Sequence, residues 1–104
     1  MSIKFCDKNL EELYNKGYSK ESLEIPKKIF KSFMIALSMA ESAASINDVL
    51  NPPPFKGLLH ENGLITLMLY GGWELSFFLE ILGNNQNKIS VVSLIFSQNS
   101  GGLL

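Results

Sequence analysis

The chain contains no arginine. Its nine basic residues are all lysines: Lys4, Lys8, Lys16, Lys20, Lys27, Lys28, Lys31, Lys56 and Lys88. No planar guanidinium is therefore available to grip a phosphate or carboxylate through two parallel hydrogen bonds. Ten acidic residues bring the formal net charge to −1, so the chain lacks the basic surplus that marks most nucleic-acid binders. Cysteine occurs once, at Cys6. That excludes an internal disulfide and a cysteine-based zinc site, and it predicts a small buried hydrophobe. Histidine also occurs once, at His60, with only Glu61 beside it. One imidazole and one neighbouring carboxylate make no metal constellation, and neither metal nor cofactor is expected. The opening Met1-Ser2-Ile3-Lys4-Phe5 has no apolar core of a secretory signal. The longest apolar stretch, residues 64–82, is interrupted by Glu74, Glu80 and Gly71-Gly72, which argues against a membrane span. A reducing cytoplasm is the default compartment.

What is present reads as one globular unit. The 104 residues are 46% hydrophobic and 18% charged, enough for one core and too few for two. A single domain is expected over residues 1–96, followed by a tail over 97–104 with little patterning. Residues 3–6 read as a short strand. Asp7 is an N-cap for a helix over residues 8–16, in which Leu10, Leu13 and Tyr14 share a face and Gly17 fits the position just past the end. Tyr18 is the apolar residue expected beyond it. A second, longer helix opens at Pro26 and carries a broad apolar stripe through Ile29, Phe30, Phe33, Met34, Leu37, Ala40 and Ala44. Lys27, Lys28 and Lys31 crowd its first turns, where cations oppose the helix dipole. They read either as a solvated face or as a patch facing an anion or partner.

Asn51-Pro52-Pro53-Pro54 is a rigid connector, after which the pattern turns to strands over residues 55–59, 64–69, 73–82 and 88–96. The polar run Gly83-Asn84-Asn85-Gln86-Asn87 reads as a loop. The Gly71-Gly72 turn fixes a register. A two-residue loop would pair Leu69 with Glu74 and mix apolar with polar side chains. A three-residue loop, Tyr70-Gly71-Gly72, pairs Leu69 with Trp73, Met68 with Glu74, Leu67 with Leu75 and Thr66 with Ser76. One face is then wholly apolar and covers the second helix. The other, carrying Thr66, Met68, Glu74, Ser76, Phe78 and Glu80, stays open and is where a site is expected. Trp73 reads as core. Met68, Tyr70 and Phe78 would form an apolar patch of the kind that meets protein.

The order of these pieces resembles the RelE/ParE-like toxins of bacterial type II toxin–antitoxin systems, and most closely their HigB branch. The resemblance runs through Ile3-Lys4-Phe5, Leu10 and Leu13 before Gly17, Pro26, Ala43-Ala44-Ser45-Ile46-Asn47-Asp48-Val49 and Pro52-Pro53. It continues through Phe55-Lys56-Gly57 and Gly71-Gly72-Trp73 with Phe77 and Glu80. It implies an α+β fold in which two N-terminal helices pack on a curved antiparallel sheet of three to four strands, with a short N-terminal strand. It also implies a ribosome-dependent mRNA endonuclease and an antitoxin partner, often of helix-turn-helix type. By that resemblance Lys56 matches the branch's lysine before glycine, whereas Met68, Glu74 and Phe78 stand where it places arginines. The last strand, ending Ser93-Leu94-Ile95, lacks the branch's Asp-Tyr-His ending.

Cleavage of RNA by its own 2′-hydroxyl requires a base, a cation for the crowded phosphate and an acid for the leaving oxygen. The candidates are Lys56, Glu74 and His60, with Lys27, Lys28 and Lys31 as an RNA- or ribosome-facing patch. His60 falls in a two-residue insertion relative to the branch, so no role carries over to it, and a surface loop is its simpler reading. Two carboxylates and no guanidinium on the open face lead us to expect weak or absent nuclease activity. The alternative is a non-catalytic module on the same scaffold, binding an antitoxin helix or a second copy of itself through Met68, Tyr70 and Phe78. An unrelated enzyme using His60 and Glu74 would carry no recognisable motif.

Overall fold

A computed structural model of the chain describes residues 2–17, 25–50, 55–84 and 86–96. Tyr18, the connector at 51–54 and the tail at 97–104 lie outside the described residues. The chain begins with β1, Ser2–Phe5. Asp7 then caps α1, Lys8–Lys16, its carboxylate accepting the Asn9 N–H at 2.8 Å. Gly17 ends α1 with φ +81°, a left-handed conformation that suits glycine, and its N–H donates to the Leu13 carbonyl at 2.9 Å. Helix α2, Lys27–Ser42, follows Pro26 and buries Ile29, Phe33, Ala36, Leu37 and Ala40. It stops two residues short of Ala44, which is exposed and does not continue the buried stripe as expected.

The short helix α3, Asn47–Leu50, was not foreseen. The Asp48 carboxylate makes it, accepting the N–H groups of Ala44 at 2.9 Å and Ser45 at 3.2 Å. Val49 is thereby fully buried. Helix α3 lies so close to the sheet that a Cβ on Gly57 would stand 2.7 Å from the Leu50 Cα. This close approach is the physical reason for the glycine after Lys56.

Strands β2, Lys56–Leu59, β3, Ile65–Met68, β4, Trp73–Glu80, and β5, Lys88–Phe96, complete a five-stranded sheet of order β1-β5-β4-β3-β2. The fold is α+β. The sheet is mixed, with β1 running parallel to β5 and the other neighbours antiparallel. The expected three or four antiparallel strands with a separate short strand become one continuous sheet. Ile3 and Phe5 align with Ile89 and Val91 and add their apolar side chains to the same face.

The β3–β4 register is the one expected: Met68 pairs with Glu74, Leu67 with Leu75 and Thr66 with Ser76. The Leu69 N–H donates to the Trp73 carbonyl at 2.8 Å across a single 3₁₀ turn, Tyr70–Gly72. One irregularity interrupts β4–β5: Ser76 faces Ser93 but Phe77 faces Val91, which leaves Val92 as a bulge. The core lies between the helices and the face carrying Ile65, Leu67, Leu75, Phe77, Ile89 and Val91. Trp73 is half-buried at its rim, its ring 5.7 Å from that of Phe96. Cys6 is exposed, contrary to expectation. Parity explains it, because Ile3 and Phe5 face the core and the next side chain turns outward.

Candidate functional site: the open face of the sheet

The helices cover one side of the sheet, and the other side is assembled from alternate residues of every strand. Pairing sets these residues in cross-strand rows. The first row is Lys56, Met68, Glu74 and Ile95 on β2, β3, β4 and β5. The second is Leu58, Thr66, Ser76 and Ser93. Beyond the bulge, Phe78 faces Ser90, which in turn faces Lys4 on β1, and Glu80 faces Lys88.

Lys56 and Glu74 thus reach one end of one face, separated by Met68. Neighbouring strands are about 4.8 Å apart, so their backbones are roughly 10 Å apart, a span that long side chains can close around a small ligand. His60 follows β2 and reaches back onto the same face. Its Nε2 lies 3.0 Å from the Thr66 hydroxyl, which lies 3.0 Å from the Ser76 hydroxyl. Imidazole and two hydroxyls therefore form one hydrogen-bonded chain across β2, β3 and β4. Thr66 is buried and bonded on both sides, so its first role is to hold the register. His60 is exposed and shares the face with Glu74. No three His, Cys, Asp or Glu among the described residues could jointly hold a metal ion.

The other candidates separate. Lys27, Lys28 and Lys31 are exposed on the first turns of α2, in the helical layer on the opposite side of the sheet from Lys56 and Glu74. Tyr70 sits in the β3–β4 turn with its ring edge-on to the core residue Phe55 at 6.1 Å. Phe78 is four residues along β4 from the Met68–Glu74 row, roughly 13 Å at strand rise. Its ring lies 4.0 Å from where a Cβ on Gly63 of the β2–β3 turn would be. Met68, Tyr70 and Phe78 are all exposed, but they do not form one patch.

Two parts of this face were not anticipated. Leu58 and Ile95 are both about half exposed and extend the apolar surface to β2 and β5. Lys4 and Lys88, with Glu80, Ser90 and Phe78, line a shallow depression of about 320 Å³ at the β1 corner. The register reasoning applied to the 70–72 turn would have reached Lys56 and Leu58 had it been carried across the 60–64 turn. The Lys4 corner depends on β1 joining β5, and no local signal announces that pairing.

No family model matches the chain, and no curated protein matches it at a significant level. No helix among the described residues is long and apolar enough to cross a membrane.

Proposed function

We propose that the protein is the toxin-side component of a bacterial toxin–antitoxin pair on a HigB/RelE-like scaffold, working in the cytoplasm, and that the open face of its sheet binds protein. The observation that carries the binding role is the composition of that face. Leu58, Met68, Phe78 and Ile95 are exposed on it. Its cations are few: Lys56 shares a row with Glu74, and Lys4 and Lys88 gather at the β1 corner, where Lys88 stands opposite Glu80. An RNA face gains its affinity from several unneutralised cations along the phosphate path. A face that intersperses exposed apolar side chains with hydroxyls and single charges is suited instead to an amphipathic segment of another protein. The toxin-side identity rests on the ordered series of motifs in the sequence, and the partner it implies is an antitoxin of helix-turn-helix type.

A second reading, an mRNA endonuclease, is favoured by one observation: Lys56, Glu74 and His60 share this face. In it Lys56 would stabilise the phosphate, Glu74 would take the 2′-hydroxyl proton and His60 would protonate the leaving oxygen. Expression of the chain alone and together with any helix-turn-helix frame found beside its gene, with growth and ribosome-bound mRNA ends measured, separates the two. The protein-binding reading expects no Lys56-dependent cleavage. It also expects about tenfold or weaker antitoxin binding in Met68→Glu and Ile95→Glu, with folding unchanged. Cleavage on translating ribosomes that Lys56→Ala abolishes would overturn it in favour of the nuclease.

A further inference from the structure

Strand β2, Lys56–Leu59, ends the sheet on the side away from β1. The N–H of His60, the residue after it, donates to the Leu64 carbonyl of the β3 side at 2.8 Å. Backbone groups alternate sides along a strand, so Lys56, Leu58 and His60 turn theirs inward to β3. Gly57 and Leu59 turn theirs outward, where no other strand of the described residues pairs with them. Leu58 is 51% exposed on the open face and Leu59 48% exposed on the other. Monomeric proteins guard such an edge with a very short strand, a charged side chain, a proline or a bulge, and β2 has Lys56 at the first of its four positions. Here mid-strand is Gly57-Leu58-Leu59, with no charge between Lys56 and His60.

We propose that this edge pairs with β2 of a second copy of the chain, antiparallel across a two-fold axis, so that the two sheets become one. The outward groups select the register. Hydrogen-bonded pairs must join outward residues to outward residues. Setting Gly57 opposite Leu59 of the second copy, and Leu59 opposite its Gly57, satisfies both donors and both acceptors of each edge. A slip of two residues in either direction pairs one outward residue with itself and carries the other past the strand end. In the selected register Leu58 meets Leu58 of the second copy on the axis, and each Leu59 lies over a glycine. Lys56 meets His60 rather than another lysine. The edge is complementary to itself in backbone and volume, which an isologous contact requires and an unrelated peptide would not need to match. This pairing does not depend on what the open face binds.

The purified full-length chain, examined by sedimentation and light scattering over a concentration series, tests it. The expected particle has twice the 11.6 kDa chain mass. L58E and L58K each bring like charges together on the axis and are expected to run as monomers with unchanged circular dichroism. Mixed in equal amounts they are expected to recover the dimer, because the axis then holds one carboxylate and one ammonium. Exchange of the Leu59 amide should be slow in the wild type and fast in L58E. The proposal is overturned if the wild type is monomeric at every concentration. It is equally overturned if L58E dimerises as tightly as the wild type, or if the mixture stays monomeric.

Discussion

Replacing Asn87 with alanine is expected to be among the most damaging single changes in this protein that do not touch its apolar core. Asn87 is 1% exposed, just ahead of β5. Its Nδ2 donates to the carbonyls of Ala40 at 2.9 Å and Ala43 at 2.8 Å, and its Oδ1 accepts the N–H groups of Leu82 at 2.8 Å and Gly83 at 3.1 Å. One side chain thus closes the last turn of α2 and the loop between β4 and β5, tying helix to sheet. At a net value of about 1 kcal/mol per bond, losing these bonds costs roughly 4 kcal/mol. Domains of this size have about 5–15 kcal/mol in all. Urea unfolding followed by the fluorescence of Trp73, the single tryptophan, should show a midpoint lower by about 2–3 M. Asn87→Asp sharpens the test, because it keeps the acceptor toward Leu82 and Gly83 but sets a carboxylate against two carbonyls. Both burial and those carbonyls favour the protonated form, so its folded-state pKa is raised above the unfolded one. The variant's stability is then fully present below the unfolded pKa and falls as pH rises through the folded one. A loss below about 1 kcal/mol in Asn87→Ala, or an Asn87→Asp variant with the pH dependence of the wild type, would refute the assignment.

Two further outcomes follow from single geometries. Gly57→Ala places a Cβ 2.7 Å from the Leu50 Cα and 3.0 Å from the Val49 carbonyl oxygen; since both are backbone, α3 must move, and thermal unfolding should show a loss of about 1–3 kcal/mol. The Tyr14 hydroxyl titrates above its ordinary value, first because burial disfavours the phenolate and second because the Glu41 carboxylate repels it. Its neutral form therefore stabilises the fold below the unfolded tyrosine pKa, and that contribution disappears as pH rises through the raised one. Ultraviolet titration of the three tyrosines should resolve one late midpoint, absent in Tyr14→Phe.

Several elements of the fold were legible because each depends on neighbours in sequence. Asp7 and Gly17 bracket α1 with groups a few residues apart. The 70–72 turn sets a register that only one loop length reconciles with a buried face. Other features depend on partners far along the chain. Cys6 was expected inside, and only the parity of β1 against β5 shows that it faces water. Asn87 sits in a run that reads as an ordinary polar loop, yet it bonds to carbonyls more than forty positions earlier. A side chain with two donors and an acceptor looks the same in sequence whether it meets water or a helix end.

The candidate site was legible in a different way. Burial selects the residues of one face of each strand, and the alternate residues are left to whatever the protein meets. On β4 that selection places Leu75 and Phe77 inside and leaves Glu74, Ser76, Phe78 and Glu80 outside. Membership of the open face could therefore be deduced wherever a register was known, and for β3 and β4 it was. Its neighbourhoods could not, because they require every strand pair at once. Lys56 stands two strands from Glu74, and Lys4 lies beside Ser90 only through the parallel β1. The lysines on the open face sit toward its ends, Lys56 in the row of Glu74, Lys88 opposite Glu80 and Lys4 beside Ser90, while its middle row is Leu58, Thr66, Ser76 and Ser93. A phosphate chain crossing that middle row would meet hydroxyls and a leucine, and no cation to neutralise it.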